Sequence, residues 1–182
     1  MDKQKNLDLF FEKLEKTGVD TTELRELLGE YLQKATFNPS FDSGLCGEGT
    51  FLSTILYELT PYAVRINELL PENKRASKTS LVKVCLLHQI AKAIRLIPND
   101  NTWEIEKRGI LYKYDTSLPS IRTGLHSLAI AQSCGINFSI DEVEAMTIID
   151  KDLTDNQARY HSSVMASIIR QANELTYLTN KL

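Results

Sequence analysis

The stretch "LLHQIAKAI", residues 86–94, carries the most chemically suggestive side chains of the sequence. His88 closes an apolar run that begins at Leu81, and Lys92 follows it about one helical turn later. An aspartate at position 89 would complete a His-Asp doublet, two ligand types that divalent metals favour. The residue there is Gln89, a neutral amide. The other histidines, His126 and His161, fall on separate predicted helices beside polar residues and read as exposed. No H-x-x-x-H or E-x-x-H spacing sets two donors on one helix face, so the residues alone give no metal site. His88 reads first as a core histidine bonded to backbone.

Other reactive motifs are missing. The sequence has no phosphate-binding Gly-rich loop ending in Gly-Lys-Ser/Thr, no G-x-S-x-G elbow and no H-E-x-x-H. "GLCGEG" (44–49) is Gly-rich but follows no predicted strand, and Cys46 within it would need a nearby histidine to act as a nucleophile. Cys46, Cys85 and Cys134 are odd in number and far apart, and no C-x-x-C pair exists. They read as free thiols in a reducing cytosol.

Helices must position these groups. Leu7, Phe10, Phe11 and Leu14 form one helical stripe, closed by Thr17-Gly18. Asp20, with Glu23 three residues later, marks the start of a second helix through Leu24, Leu27, Leu28, Tyr31 and Leu32. A loop at 35–50 precedes a helical stretch at 50–70 that Pro61 is expected to break or kink. Residues 81–97 form the most apolar predicted helix and the expected centre of the domain. "TWEIEKRGILYKYD" (102–115) alternates, and reads as a β-hairpin turning at Gly109, with Trp103 at its start. Helices are expected again over 120–133, 139–150 and 155–179, with capping-box spacing at Ser139/Glu142 and Thr154/Gln157. The predicted fold is all-α, a compact helical bundle with a small inserted hairpin.

Composition narrows the function classes. The 182 residues suit one domain, and the apolar share of 42% and charged share of 25% are ordinary for a folded chain. A net charge of -3 and the lack of a basic stripe argue against a nucleic-acid partner. No apolar run is long enough to span a bilayer, and the acid-rich N-terminal stretch is unlike a signal or transit peptide. A cytoplasmic protein is expected.

The ordered segments "SGLCGEG" (43–49), "LLHQIAKA" (86–93), "ILYKYDTSLPSIRTGLHS" (110–127), "DEVEAMTII" (141–149) and "IIRQANELTYL" (168–178) together resemble the HD-domain superfamily of metal-dependent phosphohydrolases. The likeness is to a small bacterial and phage branch with a hairpin after the His-Asp helix. It spans 36–179 and leaves 1–35 as an N-terminal helical extension of a single domain, 1–182. In that family histidines and aspartates hold one or two divalent metals that activate water for attack on a phosphoester. Carried over position by position, the first histidine falls on Glu48 and the His-Asp pair on His88 and Gln89. Two further histidines fall on Thr123 and Ile149, and the last aspartate falls on Asn173. Lys92 matches a lysine that the family can use to contact phosphate.

These replacements remove two carboxylates and two imidazoles, while Glu48 returns at most one charge. A divalent ion in a low-dielectric pocket is costly without ligand charge. The resemblance therefore implies a former metal site converted into a neutral polar cluster, with no metal, cofactor or catalytic residue. The expected role is a binding or regulatory module for a small phosphorylated ligand, held by Lys92 with Arg122 or Arg170, or for a protein partner. The alternative is a phosphohydrolase with a reduced divalent-metal set, in which His126 or His161 replaces a lost ligand. A third reading is a helical domain of other ancestry.

Overall fold

The structure, a computed structural model, describes residues 2–40, 44–150 and 162–181. Helix α1 (Lys3–Glu15) begins at Asp2, whose side chain accepts from the Lys5 N–H. It lays Leu7, Phe10, Phe11 and Leu14 against α2 (Thr22–Lys34), which buries Leu24, Leu28 and Leu32. The cap of α2 differs from the expected one. Thr21 occupies the N-cap position without a side-chain cap, and Asp20 instead closes a local turn by accepting from the backbone N–H and hydroxyl of Thr22. The apolar face of this helix pair is continuous with the rest of the core, which runs from Leu7 to Ala172.

Helix α3 (Thr50–Thr54) passes through a π-helical turn (Ile55–Leu59) into α4 (Thr60–Leu69). Pro61 therefore does not break the chain. The wider turn, in which the Thr60 N–H reaches the Ile55 carbonyl, lies just ahead of the proline and absorbs its missing donor. Helix α5 (Lys78–Leu87) opens on a Ser77 cap and buries Leu81, Val84, Cys85, Leu86 and Leu87. It packs against α1 and α4 and against helices from the C-terminal half, and so forms the centre of the bundle.

The central helix is shorter than its apolar pattern suggests. It stops at His88, turns through 88–91, resumes as the short α6 (Lys92–Arg95) and then becomes strand β1 (Leu96–Pro98). The hairpin exists, but not at the expected residues. β1 pairs antiparallel with β2 (Tyr112–Tyr114), matching Leu96 with Tyr114 and Pro98 with Tyr112. Between them, residues expected to be the first strand form helix α7 (Thr102–Arg108). Two end signals outweigh its alternating pattern. Asn101 accepts from the N–H groups of Trp103 and Glu104, and Gly109 closes the helix in the left-handed region at φ 63°. Trp103 is thus on a helix, 60% exposed, and does not begin the hairpin.

Helix α8 (Thr123–Ser133) and α9 (Ile140–Met146) follow. α9 starts at the expected capping box of Ser139 and Glu142, and a buried ion pair of 2.8 Å joins Glu142 to Lys83 on α5. A 3-10 turn (Ile148–Asp150) ends this segment, and α10 (Val164–Thr179) packs along α4 and α9. The predicted Thr154/Gln157 cap, the start of the last helix and His161 lie outside the described residues. The fold is mostly helical with one small two-stranded sheet. Among the described residues no helix is long and apolar enough to cross a membrane.

Candidate functional site

His88 decides where α5 ends. Its Nδ1 lies 3.1 Å from both the Val84 and Cys85 carbonyl oxygens, and only a donor is favourable there. The ring is therefore the Nδ1–H tautomer, capping helix carbonyls and leaving a lone pair on Nε2. Lone-pair closure comes from the two amides. Gln89 Nε2 donates to His88 Nε2 at 2.9 Å and to Asn173 Oδ1 at 2.6 Å. Asn173 Nδ2 donates to the same His88 Nε2 at 3.0 Å and to the Ile169 carbonyl at 3.0 Å. Each amide thus uses both of its N–H groups.

The three side chains are buried at 0%, 2% and 7% exposure for His88, Gln89 and Asn173. Burial pushes the His88 pKa down to about 4, so the imidazole is neutral at neutral pH. α10 delivers Asn173 on the buried stripe of Ile169, Ala172 and Thr176. The turn after α5 is fixed from the other side by Ser127 of α8, whose hydroxyl accepts from the Ala91 N–H at 3.0 Å.

Above this triad opens a cleft of ≈ 430 Å³. Gln89, Lys92, Thr123, Ile149 and Asn173 all line it, with Arg170. Five of the seven positions carried over from the resemblance therefore face one cavity, and His88 lies hydrogen-bonded beneath two of them. Glu48 does not join them. It sits on a half-exposed loop and pairs with Lys3 at 2.5 Å, and it borders a different groove beside Tyr31 and Pro98. Gly47 and Gly49 flank it at φ 123° and 79°, backbone conformations that favour glycine. Arg122 also lies off the cleft and donates to the Asp150 carbonyl. His126 is half-buried on α8 and is not among the residues that line the cleft.

Lys92 is the unusual charge. Its stem is buried, with 7% of the residue exposed, and Nζ donates to the Phe37 carbonyl at 2.9 Å. The Tyr177 hydroxyl lies 3.4 Å away, and Nζ stands 4.1 Å over the Phe37 ring. Among the described residues no carboxylate pairs with it. Burial lowers its pKa to about 7 and raises that of the inward-pointing Tyr177 hydroxyl to about 12.

Several walls of the cleft were not anticipated. Glu174 and Tyr177 could have been found, because Arg170, Asn173, Glu174 and Tyr177 follow helical spacing on one face of α10. Asp150 had no local signal. Its carboxylate accepts from the Gly124 and Leu125 N–H groups at 2.9 and 2.8 Å and so caps α8 from 26 residues away. Gly124 permits the approach, since a Cβ there would lie 2.6 Å from the Met146 carbonyl oxygen.

Comparison with protein-family models, curated proteins and solved structures finds no match to this chain. The site must be read from its own chemistry. The divalent ion that the resemblance implies does not fit the donors present. The Nε2 lone pair of His88 already accepts from two amides, Thr123 and Ile149 supply no imidazole, and a buried lysine shares the cleft. Among the described residues no three His, Cys, Asp or Glu side chains gather into a group that could hold a metal.

Proposed function

We propose that the chain is an HD-domain-like binding module, not a phosphohydrolase, and that its cleft takes a small phosphorylated ligand without a metal. The observation that carries this reading is the closed His88–Gln89–Asn173 triad beneath a cleft that holds a buried lysine. Neutral amides satisfy one another where clustered carboxylates would repel or take up protons. The triad stands without a cation, so the remaining positive groups, Lys92 and Arg170, are left for an anion entering from solvent. At neutral pH Lys92 sits near the midpoint of its titration, and an anion beside it draws it to the ammonium form. Asp150 is already occupied in capping α8, so it opposes an anion less than a free carboxylate would. Cys85 and Cys134, both buried free thiols, support a reducing, cytoplasmic setting.

Thermal melts with inorganic phosphate and phenyl phosphate test this reading. The wild type is expected to be stabilised saturably by either probe, and Lys92→Met and Arg170→Met are expected to lose most of the shift. Phenyl phosphate is expected to remain intact with Mn²⁺ present. Absence of any shift, or turnover of phenyl phosphate, would contradict it.

A further inference from the structure

Nζ of Lys92 has two acceptors around it in the described structure, the Phe37 carbonyl and the Tyr177 hydroxyl. Among the described residues no carboxylate stands beside it to hold the ammonium form, and 7% exposure leaves the charge poorly hydrated. Burial without a counter-charge favours the neutral amine, and Lys92 lines the cleft from which a carbonyl compound would reach it. Nζ itself stands 4.1 Å over the Phe37 ring, and that ring lies 5.6 Å from the Tyr177 ring, so the nitrogen is held in place. Arg170, two turns from Tyr177 on the same face of α10, lines the same cavity.

We propose that Lys92 is a carbonyl-reactive amine and that the cleft captures small aldehydes or 2-oxo acids bearing an anionic group as Lys92 imines, with Arg170 holding the anion. The Nζ lone pair attacks the carbonyl carbon, and the carbonyl π pair moves to oxygen, which takes one of the two nitrogen protons to give the carbinolamine. Nitrogen then gives up its proton, the hydroxyl leaves as water after protonation, and the C=N bond forms. One amine and one carbonyl give one imine and one water, with no change of oxidation state. The Tyr177 hydroxyl, in reach of Nζ, relays the proton from nitrogen to the departing oxygen. Burial supports the same assignment, since a lysine with a pKa of about 7 has about a thousandfold more free amine at neutral pH than an ordinary lysine.

This inference uses the same cleft but does not depend on phosphate binding. The full chain is incubated at neutral pH with glyoxylate and sodium cyanoborohydride, which reduces any imine to a stable amine, and the sites are mapped by peptide mass spectrometry. Lys92 is expected to be modified well ahead of the exposed Lys16 and Lys78, and no adduct forms at that position in Lys92→Met. Arg170→Met is expected to slow labelling by glyoxylate while leaving labelling by propanal unchanged. An unmodified Lys92, or labelling no faster there than at Lys16 and Lys78, overturns the proposal. Equal slowing with both aldehydes removes Arg170 from it. Phosphate stabilisation with an unlabelled Lys92 would leave the anion-binding reading standing and this one refuted, and the reverse result would separate them the other way.

Discussion

Replacing Lys92 by methionine should stabilise the protein at neutral pH and destabilise it at alkaline pH. An unfolded lysine has a pKa of 10.5, whereas the buried Lys92 titrates at about 7. The folded-state value is depressed, so the contribution of this group is fully present above 10.5 and is lost as pH falls through 7. At about 1.4 kcal/mol per pKa unit, the folded chain at pH 7 carries a penalty of about 4 kcal/mol that is almost absent near pH 10.5. Methionine fills a similar volume and removes that penalty. It also leaves the Phe37 carbonyl without the 2.9 Å donor, at a cost of about 1–3 kcal/mol. The net expectation is a gain of about 1–3 kcal/mol at pH 7, or about 3–10 °C in melting temperature for a chain of this size. By pH 10 the sign should reverse. Urea unfolding of both proteins across pH 6 to 10 reads the difference directly, because the other titrating groups cancel. Parallel curves with the variant weaker throughout would mean that Lys92 is a satisfied ammonium, and the reasoning about its burial would fail.

Further consequences follow from the triad and its supports. Asn173→Asp turns two donated hydrogen bonds, to His88 Nε2 and the Ile169 carbonyl, into contacts between lone pairs. It should cost about 2–4 kcal/mol in urea unfolding at pH 7, and an unchanged stability would refute the amide network. In the wild type, nitrogen-detected NMR should find His88 as a neutral Nδ1–H imidazole at pH 6, and an imidazolium there would contradict its pKa of about 4. Because that value is depressed from 6.5, stability from His88 is intact above 6.5 and should fall by about 3 kcal/mol as pH drops toward 4. Gly124→Ala would drive a Cβ to 2.6 Å from the Met146 carbonyl oxygen, backbone that cannot rotate away, and should cost about 1–3 kcal/mol in a thermal melt. A neutral result would mean that α8 can shift off Asp150.

Much of the scaffold was legible because burial writes its period into sequence. The stripes of α1 and α5 and the Ser139 capping box emerged where periodicity and capping chemistry placed them, while α2 buries Leu24, Leu28 and Leu32 but leaves Leu27 and Tyr31 of its expected stripe exposed. Residues 102–108 did not, because alternation there competes with an asparagine cap and a left-handed glycine that act together only once the helix forms. Gly109 was rightly read as a positive-φ residue, yet it ends a helix and not a hairpin turn. The meeting of Gln89 with Asn173, 84 residues apart, was expected only from the resemblance, whose ligand positions fall on both. Glu48 did not join the cleft, and it pairs with Lys3 beside a different groove, a contact between segments 45 residues apart that no local pattern signals. The closing of α5 by His88, and the capping of α8 by Asp150, depend on contacts that exist only after the helices pack.

His88, Gln89 and Asn173 form an amide–imidazole cluster whose members bond to one another, and the proposed function requires that no cation enters it. The most direct test is metal analysis of chelator-free protein, paired with melts of the apo form in Mn²⁺, Fe²⁺, Ni²⁺ and Zn²⁺. Substoichiometric metal and unchanged melting temperatures are expected, because an ion would have to displace two amide N–H groups from His88 Nε2. Near-stoichiometric metal with a clear stabilisation that His88→Gln abolishes would contradict that requirement.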